Sequence, residues 1–136
     1  RGTLLMQGMA DEVTGLSTHP SQHLLAIVSR NGILQVWNYE MKLLMMLREF
    51  NAPKQSKPDD KASKSLLSNC CSFDSSGNLI AVGFSSGIIR LLASETLEDF
   101  ASYAPSSEDI QLIKFSPSGS FFAACDASHH VMVFKR

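Results

Sequence analysis

The stretch Phe73-Asp74-Ser75-Ser76-Gly77-Asn78-Leu79-Ile80-Ala81-Val82-Gly83-Phe84-Ser85-Ser86-Gly87-Ile88-Ile89-Arg90-Leu91-Leu92 decides how the chain is read. Asp74-Ser75-Ser76-Gly77 and Ser85-Ser86-Gly87 are turn chemistry, because Asp, Ser and Gly close tight turns. The apolar runs between and after them are short and aliphatic, which reads as strands. A third run, Leu66 to Phe73, leads into the first turn. The pattern recurs on both sides. Before it come Val13 to Leu16, the turn His19-Pro20-Ser21-Gln22, Leu24 to Ser29, the tip Arg30-Asn31-Gly32, and Ile33 to Asn38. After it come Ile110 to Phe115, the turn Ser116-Pro117-Ser118-Gly119, Phe121 to Asp126, the tip Ala127-Ser128-His129, and Val131 to Lys135.

The spacing is 55 residues from the turn at 19 to that at 74, and 42 from 74 to 116. Short strands repeating at this period point to propeller blades and not to one closed core. The expected fold is all-β, a partial β-propeller of about three antiparallel four-stranded blades. The divisions expected are residues 1–6 as the last strand of a preceding blade, with Thr3 to Met6 in it, and 7–50 as the first blade. An insert loop follows at 51–64, then a second blade at 65–103 and a third at 104–136 without its outer strand. Because the chain opens on Arg1 in what reads as mid-strand, a fragment of a longer protein is expected.

Residues 41–50 carry good helix formers. They are assigned as the fourth strand of the first blade because they follow Trp37-Asn38 and a turn, and context outweighs propensity at this length. Residues 96–103 are the corresponding strand of the second blade. The insert 51–64 holds two prolines, six charges and no large apolar residue, so it is expected to be a solvated loop.

Composition excludes several classes. The chain is 136 residues, 44% hydrophobic and 18% charged, which is globular. A net charge of −1 leaves no footprint for nucleic acid or an anionic membrane. No apolar run approaches the roughly 18 residues that span a bilayer. Three cysteines cannot all pair, and Cys70 and Cys71 are adjacent, so a reducing, intracellular setting is expected, with one of that pair in the core.

Leu25-Ala26-Ile27-Val28-Ser29-Arg30-Asn31-Gly32-Ile33-Leu34-Gln35-Val36-Trp37-Asn38 resembles the strand–turn–strand signature of WD40 repeats, which ends in Trp-Asp. Residues 80–87 and 122–126 are similar to its second strand. Residues 115–119 and 73–77 are similar to the turn before it. The family's His–Ser/Thr–Asp–Trp hydrogen-bond set is met only by Ser29 and Trp37, with Asn31 for the Asp. Leu92 and Phe134 stand at the Trp position of the other two copies. Residues 12–20 with 36–40 further resemble the WD-repeat proteins of ciliary and flagellar axonemes. The resemblance implies a non-catalytic scaffold that assembles other proteins, in the cytoplasm, cytoskeleton or axoneme of a cilium, at a radial-spoke-type complex. It implies structural roles for Ser29, Trp37, Gly32 and Gly87.

The catalytic alternative is a hydrolase or metal-dependent enzyme on a β framework. Gly83-Phe84-Ser85-Ser86-Gly87 satisfies G-x-S-x-G, but that elbow needs a helix after it, and Ile88 to Leu92 reads as a strand. Cys125, His129 and His130 lie close in sequence, yet a zinc site needs a second ligand pair, and the Cys70-Cys71 spacing does not supply one. His19 and His23 flank a turn and read as exposed. No catalytic residue, metal or cofactor is therefore expected. Ser106-Ser107-Glu108-Asp109 has the look of an acid-directed phosphorylation site.

Partner binding is expected on one face. In the WD40 arrangement the turns between second and third strands share a face with the connections between blades. That gathers Arg30, Asn31, Lys54, Lys57, Lys61, Glu108, Asp109, His129 and His130, with other proteins as the partners.

Overall fold

The structure is a computed structural model that describes residues 2–6, 11–50 and 67–136. It is built of strands: β1 Val13–Thr18, β2 Leu24–Ser29, β3 Ile33–Asn38 and β4 Leu43–Glu49; β5 Ser68–Phe73, β6 Leu79–Phe84, β7 Ile89–Ala93 and β8 Asp99–Tyr103; β9 Ile110–Phe115, β10 Phe121–Asp126 and β11 Val131–Lys135. They form three antiparallel sheets in chain order, β1-β2-β3-β4, β5-β6-β7-β8 and β9-β10-β11. Each sheet is one blade. No helix among the described residues is long and apolar enough to cross a membrane.

The repeat is visible in the irregularities as well as the strands. The first strand pair of each blade is bulged, at Val13/Gly15, Ser68/Cys70 and Cys125/Asp126. The third pair is bulged at Val36/Trp37 and Leu91/Leu92. Bulges add twist, and twisted blades stack face to face.

Stacking sorts the side chains by strand parity. Ala26, Val28, Leu34 and Val36 of blade 1 pack with Cys71, Phe73, Ile80, Val82, Phe84 and Leu92 of blade 2. Leu79, Ala81, Ile89 and Leu91 turn the other way and pack on Ile110, Ile113, Phe122 and Ala124 of blade 3. Blade 2 is thus a sheet buried on both sides, which is why β6 is buried along its whole length. Each large aliphatic or aromatic side chain enclosed there contributes about 1.5–3 kcal/mol. Both Cys70 and Cys71 are core, one in each interface, because strand neighbours face opposite ways.

Residues 2–6 join none of the three sheets, and their place in a preceding blade remains a proposal. Two expectations are corrected. The fourth strand of blade 2 starts at Asp99 and not Thr96, because Leu97 bends back with φ 63° to bury its side chain between blades 1 and 2. His19 is not a bare turn residue: its ring meets Phe73 of blade 2 edge-on at 5.1 Å. Trp37 itself is half-buried. Its position faces the preceding blade in every copy: Leu92 is enclosed against blade 1, and Phe134 stacks on Phe122 at 4.8 Å against blade 2. Among the described residues no blade covers that face of blade 1. The strand assignment of β4 holds, since β3 pairs with it over its length. The insert 51–64 lies outside the described residues.

Candidate functional site

One hydrogen bond, repeated three times, builds the candidate face. The residue after the second strand of each blade donates its N–H to the connection entering that blade: Arg30 to the Glu12 carbonyl at 2.9 Å, Ser85 to Leu67 at 2.8 Å, Ala127 to Asp109 at 2.8 Å. A matching set ties the opposite end, with Tyr39 donating to the His23 carbonyl, Ser94 to Asn78 and Arg136 to Ser120. The tips at Arg30, Ser85 and Ala127 therefore share an end with the inter-blade connections, and the turns at His19, Asp74 and Ser116 occupy the other.

Arg30, Asn31, Glu108, Asp109, His129 and His130 all fall at the first end. Arg30, Glu108, Asp109, His129 and His130 are exposed there. Lys54, Lys57 and Lys61 lie outside the described residues. Arg30 Nε donates to Glu12 Oε2 at 2.9 Å, a surface pair worth about 0–1 kcal/mol. Ser29 Oγ donates to Asn31 Oδ1 at 2.5 Å, so these two make the short contact expected of a Ser and an Asp-like residue. Gly32 and Gly87 both take φ 84° at the tips, and His129 takes φ 70° at the equivalent point of blade 3. Gly87 also has no room for a Cβ, because the Ser106 carbonyl of the next connection presses on it.

The most elaborate polar arrangement is at blade 3. Asp126 is buried, and its carboxylate accepts from the Ser106 hydroxyl at 2.8 Å, the Ser128 N–H at 3.0 Å and the His130 N–H at 2.9 Å. The His130 ring Nδ1 lies 3.0 Å from its Oδ2. Burial alone raises a carboxyl pKa. Here the His130 N–H, the Ser106 hydroxyl and the His130 ring outweigh it and hold Asp126 down at about 2. This cluster borders a groove of about 800 Å³ lined by Pro105, Ser106, Glu108, His129, His130 and Met132. The chain pattern did not reveal it, since Asp126 reads simply as a strand end. The one signal was its place opposite Ser29 in the repeat.

The arrangement is a tie and not a relay. The Ser106 hydroxyl meets the carboxylate of Asp126, held near 2 and so a weak base, while the His130 ring bonds to that carboxylate and not to the serine as nucleophilic catalysis requires. Cys125 points to the opposite side of β10 from Asp126 by strand parity, away from His130. Among the described residues no group of three His, Cys, Asp or Glu is placed to hold a metal. Ser85 and Ser86 form a hairpin tip between β6 and β7, with no helix after them. Burial pushes both core thiols, Cys70 and Cys71, up to about 12, which leaves them protonated and unreactive.

Residues 2–38 match the family described as WD domain, G-beta repeat. Over 132 residues the chain is 29% identical to Echinoderm microtubule-associated protein-like 2 of Mus musculus, covering 97% of the chain and 18% of that protein. It is 29% identical over 126 residues to Cilia- and flagella-associated protein 251 of Pongo abelii, covering 91% and 10%. To the Chlamydomonas reinhardtii protein of the same name it is 23% identical over 134 residues, covering 98% and 15%. The chain spans less than a fifth of the length of these relatives. Residues 2–38 thus carry a WD40 repeat match, and the three antiparallel sheets of four, four and three strands are consistent with blades of a partial propeller of that kind.

Proposed function

We propose that this chain is part of a non-catalytic propeller scaffold that binds other proteins through the end carrying Arg30, Asn31, Glu108, Asp109, His129 and His130. The observation that supports the reading is the thrice-repeated bond between tip and connection, which gathers exposed charge of both signs on one rigid rim. Loops held by a rigid frame are where binding variation concentrates. Mixed charge steers a partner and sets its orientation more than it adds affinity. Relatives named for microtubules and for cilia and flagella support a cytoskeletal setting. The partners proposed are subunits of a microtubule-bound axonemal complex of the radial-spoke kind. The insert 51–64 with Lys54, Lys57 and Lys61 is assigned to the same face.

The test is deletion of Pro53 to Ala62 in the full-length protein. Long surface loops contribute little to stability, so folding is expected to be retained. Recovery of the partner complex by pull-down is expected to fall. Unchanged recovery makes the insert a spacer and removes it from the binding face. Charge reversal at Arg30 and Glu108 then tests the remaining residues by the same readout.

A further inference from the structure

Two hydroxyl residues of the chain are followed by acids at both the second and the third position: Ser106 ahead of Glu108-Asp109, and Thr96 ahead of Glu98-Asp99. That spacing suits a protein kinase that reads acidic residues after its target. The sequence pattern is the same at both places, and the packed blades separate them. Leu97, next to Thr96, is 3% exposed between blades 1 and 2 and takes φ 63°. Asp99 opens strand β8 and is held by Arg48 at 2.8 Å. An extended grip on Thr96 therefore pulls Leu97 out of the core and breaks an ion pair.

Ser106 has no such anchors. It stands in the connection between β8 and β9, which joins no sheet. Ser107, Glu108 and Asp109 are exposed, and among the described residues no cation pairs with either carboxylate. Both hydrogen bonds that residues 104–108 make among the described residues pass through the Ser106 hydroxyl. It donates to Asp126 Oδ2 at 2.8 Å and accepts the Glu108 N–H at 3.0 Å. Giving up one donor bond frees the segment, a local opening that leaves the sheets intact.

We propose that Ser106 is a phosphorylation site for an acid-directed protein kinase, and that the phosphate keeps the connection 104–108 off the blade. The Ser106 oxygen takes the γ-phosphoryl group of ATP. Its bond to phosphorus forms, the bond from that phosphorus to the β–γ bridging oxygen breaks, and ADP leaves. The hydroxyl proton passes to the kinase's base and then to water. Unmodified, the hydroxyl donates to a buried carboxylate. The phosphoester has no proton to donate there and carries a charge of about −1.5 to −2 at pH 7. Against the buried carboxylate of Asp126, like charges repel with little solvent to screen them. The His130 ring offers no escape, since it already bonds to the same Asp126 oxygen. The serine is thus docked when free and undocked when phosphorylated. The readouts below are phosphate and cleavage, so the proposal stands or falls apart from partner recovery at that end.

The test treats the full-length protein with ATP and a purified casein-kinase-type enzyme that reads acids after the serine, and locates phosphate by mass spectrometry. Phosphate is expected on Ser106 and not on Thr96. Asp109→Asn is expected to slow incorporation at Ser106 about tenfold. Asp109 gives the fold its backbone carbonyl, which that variant keeps. Asp126→Asn weakens the tie but leaves the recognised acids, and is expected to speed incorporation about threefold. Proteinase K is expected to nick the phosphorylated wild-type protein within residues 104–109 about threefold faster than the unmodified protein. No phosphate at Ser106, Thr96 labelled in preference, slower labelling of Asp126→Asn, or equal nicking of the two forms overturns the proposal. The labelling and nicking arms use the unaltered sequence, so they decide the matter even where Asp126→Asn fails to fold.

Discussion

The imidazole of His19 fills the space into which a Cβ on Gly77 would project, so the first turn of blade 1 closes directly on the first turn of blade 2. The same ring is held from its own side, where Nδ1 accepts the N–H groups of Ser21 and Gln22 at 3.0 Å each. The contact recurs one blade on, with Ser75 Oγ 2.7 Å from the space beside Gly119. Stacked blades are thus locked at their turns as well as through their cores.

Gly77→Ala is expected to destabilise the full-length protein by about 2–4 kcal/mol. Part is conformational, since φ 81° costs a residue with a Cβ about 1–2 kcal/mol. The remainder is displacement of the His19 ring. In a His19→Ala background the same substitution is expected to cost only the conformational part. Denaturant unfolding of the four proteins checks this, and strict additivity sinks it.

Acid sensitivity is expected to pass through Asp126. Its folded pKa is held near 2, below the ordinary 3.8. A carboxylate with a depressed folded pKa contributes stability above its unfolded pKa and loses it as pH falls through the folded one. The loss therefore falls between about pH 4 and pH 2. Asp126→Asn is expected to flatten that part of the stability profile and to speed amide exchange at residues 128–130. An unchanged acid limb removes Asp126 from the account.

Cys70 and Cys71 are expected to resist alkylation in the folded protein. With both thiols near 12, the thiolate is about one part in ten thousand at pH 8, before access is considered. Mass spectrometry after iodoacetamide treatment, with and without denaturant, reads this directly. Rapid modification of either residue under native conditions shows an interface that opens.

Trp37→Ala is expected to cost about 3–5 kcal/mol in the full-length protein. Its equivalents Leu92 and Phe134 each meet the preceding blade, and Trp37 is placed to do the same. Its Nε1 already donates to Gln35 Oε1 at 2.7 Å, which satisfies the polar end for burial. A loss below about 1 kcal/mol in unfolding measurements shows that nothing stacks on Trp37.

Strand positions, turn positions and the repeat of one strand-and-turn pattern were legible along the chain because each is local chemistry. Asp74 to Gly77 closes a turn wherever it sits, and Leu79 to Phe84 reads as a strand whatever covers it. Even β4, whose residues favour helix, was placed correctly by its slot in the repeat. What stacking decides was not legible. His19 meets Phe73 and Gly77 across more than fifty residues, and Arg48 reaches Asp99 across 51. Asp126 gathers Ser106 from 20 residues upstream, and Arg136 reaches the buried carboxylate of Asp74 across 62. Spacing within a strand says which residues share a face. Which neighbour that face meets, and whether Trp37 is enclosed or half-exposed, depends on the register of one twisted sheet on the next, and only the packed blades contain that information.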